Sequence, residues 1–165
     1  MPQVRVKAVG TDAATTSRVV LLEETSGAGR IVVVAVGEAE ALAAAAALEG
    51  VQSARPGTHR LIGAVLRAAG RRLVRVRVHT LRDAVFHAEL DLDDGTRVDS
   101  RTSDAVVLAL LLGADIVVAD AVLTVAGVDP STVVVEGLGT GSGELEAFRR
   151  FLDTATPDDF DEPPR

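Results

Sequence analysis

Two neighbouring runs, LVRVRVHTL at 73–81 and VFHAELDL at 85–92, alternate apolar and polar residues so regularly that little besides paired strands can use them. In the first, Val74, Val76 and Val78 share one face and Arg75, Arg77 and His79 the other. In the second, Phe86, Ala88, Leu90 and Leu92 are apolar, with His87, Glu89 and Asp91 opposite. A slip of one residue would turn a whole apolar row to solvent, so only one parity of register is usable. A three-residue loop of Arg82, Asp83 and Ala84 supplies that parity, and predicts His79 beside His87, Arg77 beside Glu89 and Arg75 beside Asp91. A second three-residue turn, Asp93, Asp94 and Gly95, with glycine at its left-handed position, sets Val98 against Leu90, Arg97 against Asp91, Asp99 against Glu89 and Arg101 against His87. The expectation is an antiparallel meander over 73–101 with one charged face. On that face Glu89 and Asp99 repel each other unless Arg77, another cation or a metal stands near.

The third strand runs into VDSRTSDAVVLALLLGADI, 98–116, where small polar residues give way to an unbroken apolar run. Asp99, Arg101, Ser103 and Asp104 fall within six positions at this strand-to-helix junction. Ser103 suits a helix cap, and Asp104 in the first turn suits the positive end of the helix dipole. The same four residues also make a candidate polar site.

Residues 3–9, 18–23 and 30–36 read as strands; their continuous β-branched runs imply burial on both faces or against a second subunit. EAEALAAAAALEG, opened by Gly37 and stopped by Gly50, reads as a helix whose alanines admit a close neighbour, with Glu40 in its first turn. ARPGTHR, 54–60, is a turn carrying Arg55, Thr58 and His59 into a helix over about 59–69. IVVAD reads as a short strand, AVLTVAG as a short helix, and VDPSTVVVEG as a turn and strand. GLGTGSG, 137–143, lacks both the Walker lysine and the dinucleotide spacing and reads as a linker. ELEAFRRFLD places Leu145, Phe148, Phe151 and Leu152 on one face of an amphipathic helix, followed by an acidic tail. The division expected is a domain over 1–127, a strand and glycine-rich linker over 128–143, and the helix and tail over 144–165.

The chain is long enough for one domain with a real core, and its fold class is read as α+β: a mixed or antiparallel sheet with flanking helices, expected to work as a homodimer or higher homo-oligomer. It has no cysteine, which excludes disulfides and thiolate metal sites; with an N-terminus that alternates like a strand and no membrane-length apolar run, the expectation is a cytoplasmic protein. The net charge of −7 argues against a nucleic-acid partner, but the charge is unevenly spread. From Arg55 to Arg101 ten arginines face six acids, whereas from Asp129 onward nine acids face three arginines. Arginine is the cation best shaped for paired contacts to phosphate.

The ordered set VVLLEE at 19–24, Gly37 with Glu40 and Ala41, Arg55, Pro56, Thr58 and His59, then Leu81, Asp83 and Phe86, then Asp99, Arg101, Ser103, Asp104 and Ala105, and finally FLDTATPDDF, resembles the bifunctional nuclease family. That resemblance implies hydrolysis of phosphodiester bonds in RNA or DNA. It assigns His59, Asp99 and Asp104 to catalysis, Arg55, Arg101 and Ser103 to the substrate, and Asp99, Asp104 and Glu40 to a Mg²⁺ or Mn²⁺ ion. The chain departs from the family pattern in having Arg60 where an acid usually follows the histidine, Thr102 in place of proline, and Ala84 in place of glycine. The alternative is a non-catalytic module whose arginines grip an anionic ligand or an acidic protein.

Overall fold

In the computed structural model, residues 1–137 are described; the glycine-rich linker beyond Gly137 and the helix and tail expected over 144–165 lie outside the described residues. The strands are β1 (Gln3–Asp12), β2 (Arg18–Glu24), β3 (Ile31–Ala35), β4 (Leu73–Arg82), β5 (Val85–Leu92), β6 (Arg97–Arg101), β7 (Asp115–Val118), β8 (Gly127–Val128) and β9 (Val135–Gly137). The helices are α1 (Glu38–Leu48), α2 (Thr58–Ala68), α3 (Thr102–Leu112) and α4 (Asp120–Ala126). The strands form one mixed sheet in the order β6-β5-β4-β7-β1-β2-β3-β8, with β9 alongside the far end of β1. Every pairing is antiparallel except β4 with β7. The architecture is the α+β class expected.

The meander is present. Arg97, Val98, Asp99 and Arg101 oppose Asp91, Leu90, Glu89 and His87 as the alternation predicts. Gly95 takes the left-handed conformation, φ 84°, that the second turn requires. The first turn differs. Arg82 pairs with Val85, so the loop is only Asp83 and Ala84, both at positive φ (50° and 61°), and His87 faces Thr80 rather than His79. A bulge at His79 restores the expected Arg77–Glu89 and Arg75–Asp91 pairs beyond it. A second irregularity at Val74 leaves that valine 45% exposed, outside the row formed by the buried Val76 and Val78. Register neighbours are not always ion-pair partners: Arg97 does meet Asp91, at 3.6 Å, but Arg77 also reaches diagonally to Asp91, at 2.6 Å, and leaves Glu89 and Asp99 facing each other.

α3 carries no polar face after Asp104, and it is buried accordingly, with Ala105, Val106, Val107, Leu108 and Ala109 at 2% exposure or less. It packs on the meander, with α1 and α2 against it. Ala41, Ala44 and Ala45 are the buried side of α1, so the alanine run sets a short helix-to-core distance. α2 buries only Gly63, where a Cβ would lie 2.6 Å from Leu112 Cδ2. The runs in β2 and β3 are covered on both faces within the chain. One side joins the main core through Val20, Leu22, Val32 and Val34; the other forms a small cluster of Val19, Leu21 and Ile31 beneath Ala8, Val33, Val133 and Val135. No helix among the described residues is long and apolar enough to cross a membrane.

Candidate active site

α3 begins at Thr102, two residues earlier than the cap reading of Ser103 requires. Arg101 occupies the cap position, no side chain caps the helix, and Thr102 Oγ1 instead donates to the Phe86 carbonyl at 2.9 Å. The shift is physically reasonable because Arg101 is both the last residue of β6 and the first non-helical residue before α3. Its side chain therefore leaves the sheet row predicted for it and swings toward the helices.

Arg101 becomes the centre of a charged cluster. Its Nε donates to Asp104 Oδ2 at 2.7 Å, and its Nη2 donates to Asp104 Oδ1 at 3.2 Å and to Glu40 Oε1 at 2.9 Å. Asp104 Oδ1 also lies 2.9 Å from Nε2 of His59, on the first turn of α2. Three helices thus contribute one residue each: Glu40 from α1, His59 from α2 and Asp104 from α3. His59 and Asp104 are largely sheltered, their side chains 17% and 25% exposed, while Arg101 is 69% exposed. Burial pushes the Asp104 carboxyl up, but the hydrogen bonds from Arg101 and His59 and their charges outweigh it, and its pKa lies below the ordinary aspartate value. The hydrogen bond and charge of Asp104, then those of Glu40, raise the pKa of Arg101. An ionised Asp104 accepts only, so in the neutral form of His59 it fixes the ring proton on Nε2 and leaves Nδ1 with its lone pair. Neither Nδ1 of His59 nor Nη1 of Arg101 has a hydrogen-bond partner among the described residues.

The cluster lies in a cleft of about 910 Å³. Its other wall is apolar, built from Ala43, Ala47, Ile62, Val107 and Leu111, and its rim includes Ser53, Thr58 and Arg60. Asp99 lines the same cleft but makes no hydrogen bond or ion pair with a described residue; His59 is met by Asp104. Ser103 sits in the first turn of α3 with no side-chain hydrogen bond among the described residues. Arg55 is exposed on the loop before α2 and forms no ion pair with a described residue. Two contributors escaped the sequence reading. Arg60 was noted only as a missing acid, yet its Nη2 donates to the Val51 carbonyl at 2.8 Å and fixes the rim. The alanine wall could have been found from Ala39, Ala43 and Ala46, which recur at helical spacing.

Mg²⁺ and Mn²⁺ favour carboxylates gathered around an open coordination sphere. Here Glu40 and Asp104 close on the Arg101 guanidinium, and among the described residues no three His, Asp or Glu side chains group closely enough to hold a metal ion. This arrangement of donors does not fit a divalent ion.

Fold and site together define a class: a mixed-sheet α+β domain whose helices bring a histidine–carboxylate pair, and whose edge strand brings an arginine, to one cleft. The chain belongs to the bifunctional nuclease domain family, whose model matches residues 20–131. It is also similar to two uncharacterized proteins of Mycobacterium tuberculosis, from strains CDC 1551 / Oshkosh and ATCC 25618 / H37Rv. Each is 36% identical over 168 residues, covering 97% of this chain and 98% of the relative.

Proposed function

We propose that the protein is a nuclease that hydrolyses phosphodiester bonds of RNA or DNA in the cleft between α1, α2 and α3. Family membership supports a nuclease-related role, and the 2.9 Å contact between His59 and Asp104 is the observation that carries the chemistry. In this reading His59 Nδ1 accepts a proton from water, and the water oxygen attacks phosphorus as the bond to the leaving oxygen breaks. The leaving oxygen takes its proton from solvent or from the imidazolium. Asp104 keeps the ring in the required tautomer and offsets the charge it acquires. Arg101, with Nη1 uncommitted and its plane fixed by two carboxylates, donates to a phosphate oxygen. Arg55 and Ser103 contact the strand to either side, and no step requires a metal ion.

The test is digestion of labelled single- and double-stranded DNA and RNA by protein freed of host nucleases, with and without EDTA. His59→Ala and Asp104→Ala are each expected to lower turnover by about 100-fold or more, the usual contribution of a positioned base. Turnover unchanged in both variants refutes the site. Turnover abolished by EDTA refutes the metal-free mechanism. A second reading is favoured by the two carboxylates that already neutralise Arg101: a module that binds an anionic ligand or acidic protein without turning it over. Binding of oligonucleotide with no product at any enzyme concentration would select it.

A further inference from the structure

Two arginines of β4 are left short of acceptors. Arg75 lies in register between Asp91 on β5 and Asp115 on β7, yet its guanidinium forms no ion pair with a described residue. Both acids are taken by others: Arg77 Nη2 donates to Asp91 Oδ1 at 2.6 Å, and Gln3 Nε2 donates to Asp115 Oδ1 at 2.9 Å. Arg77 in turn has a buried Nε with no hydrogen-bond partner among the described residues. A buried N–H without an acceptor costs stability unless something else supplies one.

Arg75 and Arg77 alternate with the buried Val76 and Val78, so they stand on the sheet face turned away from α3. With Arg97 and Asp91 they line a hollow of about 240 Å³, bordered by Val74 and Leu92. Arg97 reaches Asp91 only at 3.6 Å and is largely exposed. Asp93 and Asp94, on the neighbouring turn, are engaged by Arg72 and Arg71. Three guanidiniums therefore share one carboxylate, and two positive charges remain over. That excess matches a phosphomonoester, which carries about −1.5 to −2 at neutral pH, better than a diester phosphate with a single charge. A groove for a nucleic-acid backbone would instead continue as a cationic track, whereas this hollow is closed off by two apolar side chains.

We infer that the hollow binds a terminal phosphate group, with Arg75 and Arg97 donating to its oxygens and Arg77 turning its Nε–H toward the same anion. Inorganic phosphate and the phosphate end of a nucleotide share this chemistry. The inference stands apart from the phosphodiester reading: it uses no residue of the His59 cleft, and Arg97 and Arg101 lie at opposite ends of β6.

The test is amide NMR of the full-length protein at constant ionic strength, titrated separately with inorganic phosphate, adenosine 5′-monophosphate and adenosine. Saturable shifts centred on Arg75–Arg77 and Gly95–Arg97 are expected with phosphate or the nucleotide, and none there with adenosine; whichever of the two binds tighter identifies the source. Arg75→Gln breaks no ion pair among the described residues, and it is expected to weaken binding tenfold or more, the usual loss for one charged donor. Arg67→Gln removes the same charge from α2 and is expected to leave the affinity unchanged. Shifts that do not saturate by about 10 mM, far weaker than a working site needs, overturn the inference. So do equal affinities of the parent and Arg75→Gln, an equal loss in Arg67→Gln, or shifts confined to the His59 cleft.

Discussion

Asp104→Ala removes the acceptor shared by His59 and Arg101, and the size and pH dependence of its effect follow from the geometry. The His59–Asp104 hydrogen bond is 2.9 Å long between side chains only 17% and 25% exposed. A hydrogen bond to an ionised group is worth about 1.5–3 kcal/mol net, and partial exposure places this one near the low end, about 1.5 kcal/mol. Arg101, 69% exposed, adds little to stability. A double-mutant cycle of His59→Ala and Asp104→Ala, read by urea unfolding at pH 7, is therefore expected to return a coupling of about 1.5 kcal/mol. Because the folded Asp104 pKa is depressed, its contribution is fully present above the unfolded value of about 3.9 and is lost as pH falls through the folded value. The part of the coupling that rests on ionised Asp104 is thus expected to shrink as pH falls below the ordinary carboxylate range. A coupling at pH 7 within the ~0.3–0.5 kcal/mol scatter of independent sites would refute the reasoning.

Ala84 sits at φ 61°, a conformation that costs a residue with a Cβ about 1–2 kcal/mol, so Ala84→Gly is expected to raise the melting temperature by about 2–4 °C; an unchanged or lower value refutes it. A Cβ on Gly10 would lie 2.2 Å from the Glu136 carbonyl oxygen, a backbone atom that cannot move without its strand. Gly10→Ala is expected to cost about 1–3 kcal/mol and to expose the β9 amides to exchange while β2 stays protected; parental β9 protection would be the contrary result. Arg101→Lys keeps the charge but loses the planar fork that spans Glu40 and Asp104. Nuclease turnover is expected to drop nearly as far as in Arg101→Ala, and recovery to the parental rate would count against a positioning role.

Strand parity was legible because it depends on neighbours in sequence. The alternation in 85–101 contains the whole β5–β6 register, from His87–Arg101 to Asp91–Arg97. The turn at Asp83 and Ala84 was not legible, since alanine gives no sign of a positive φ and the compensating bulge at His79 leaves the distant pairs as the three-residue loop would. The insertion of β7 between β4 and β1 was hidden for a different reason: three apolar residues, Ile116, Val117 and Val118, announce a buried strand but not which strands flank it. At the site, the residue types pointed to Glu40, His59, Arg101 and Asp104, but not to who meets whom. Arg101 was expected in the sheet row beside His87, and only its place at the β6–α3 junction lets its side chain turn to the helices. Glu40 reads equally well as a dipole-complementing residue, and nothing local in α1 reveals the guanidinium brought to it by α3.

β7 gives the sheet a seam. To one side lie β1, β2 and β3, to the other β4, β5 and β6, each set zipped from strands close in sequence. The link between them is Asp115–Val118, paired along Arg75–Val78 on one edge and only at Gln3 and Val4 on the other, with Val118 N–H also donating to the Pro2 carbonyl. Within the sheet the hydrogen-bonded bridge is four residues wide, latched by the first few residues of the chain, and the remaining coupling runs through the core the two halves share. Trimming that latch, or weakening Ile116, is expected to quicken amide exchange along β7 before that of β2 or β5, while the shared core keeps denaturation a single transition.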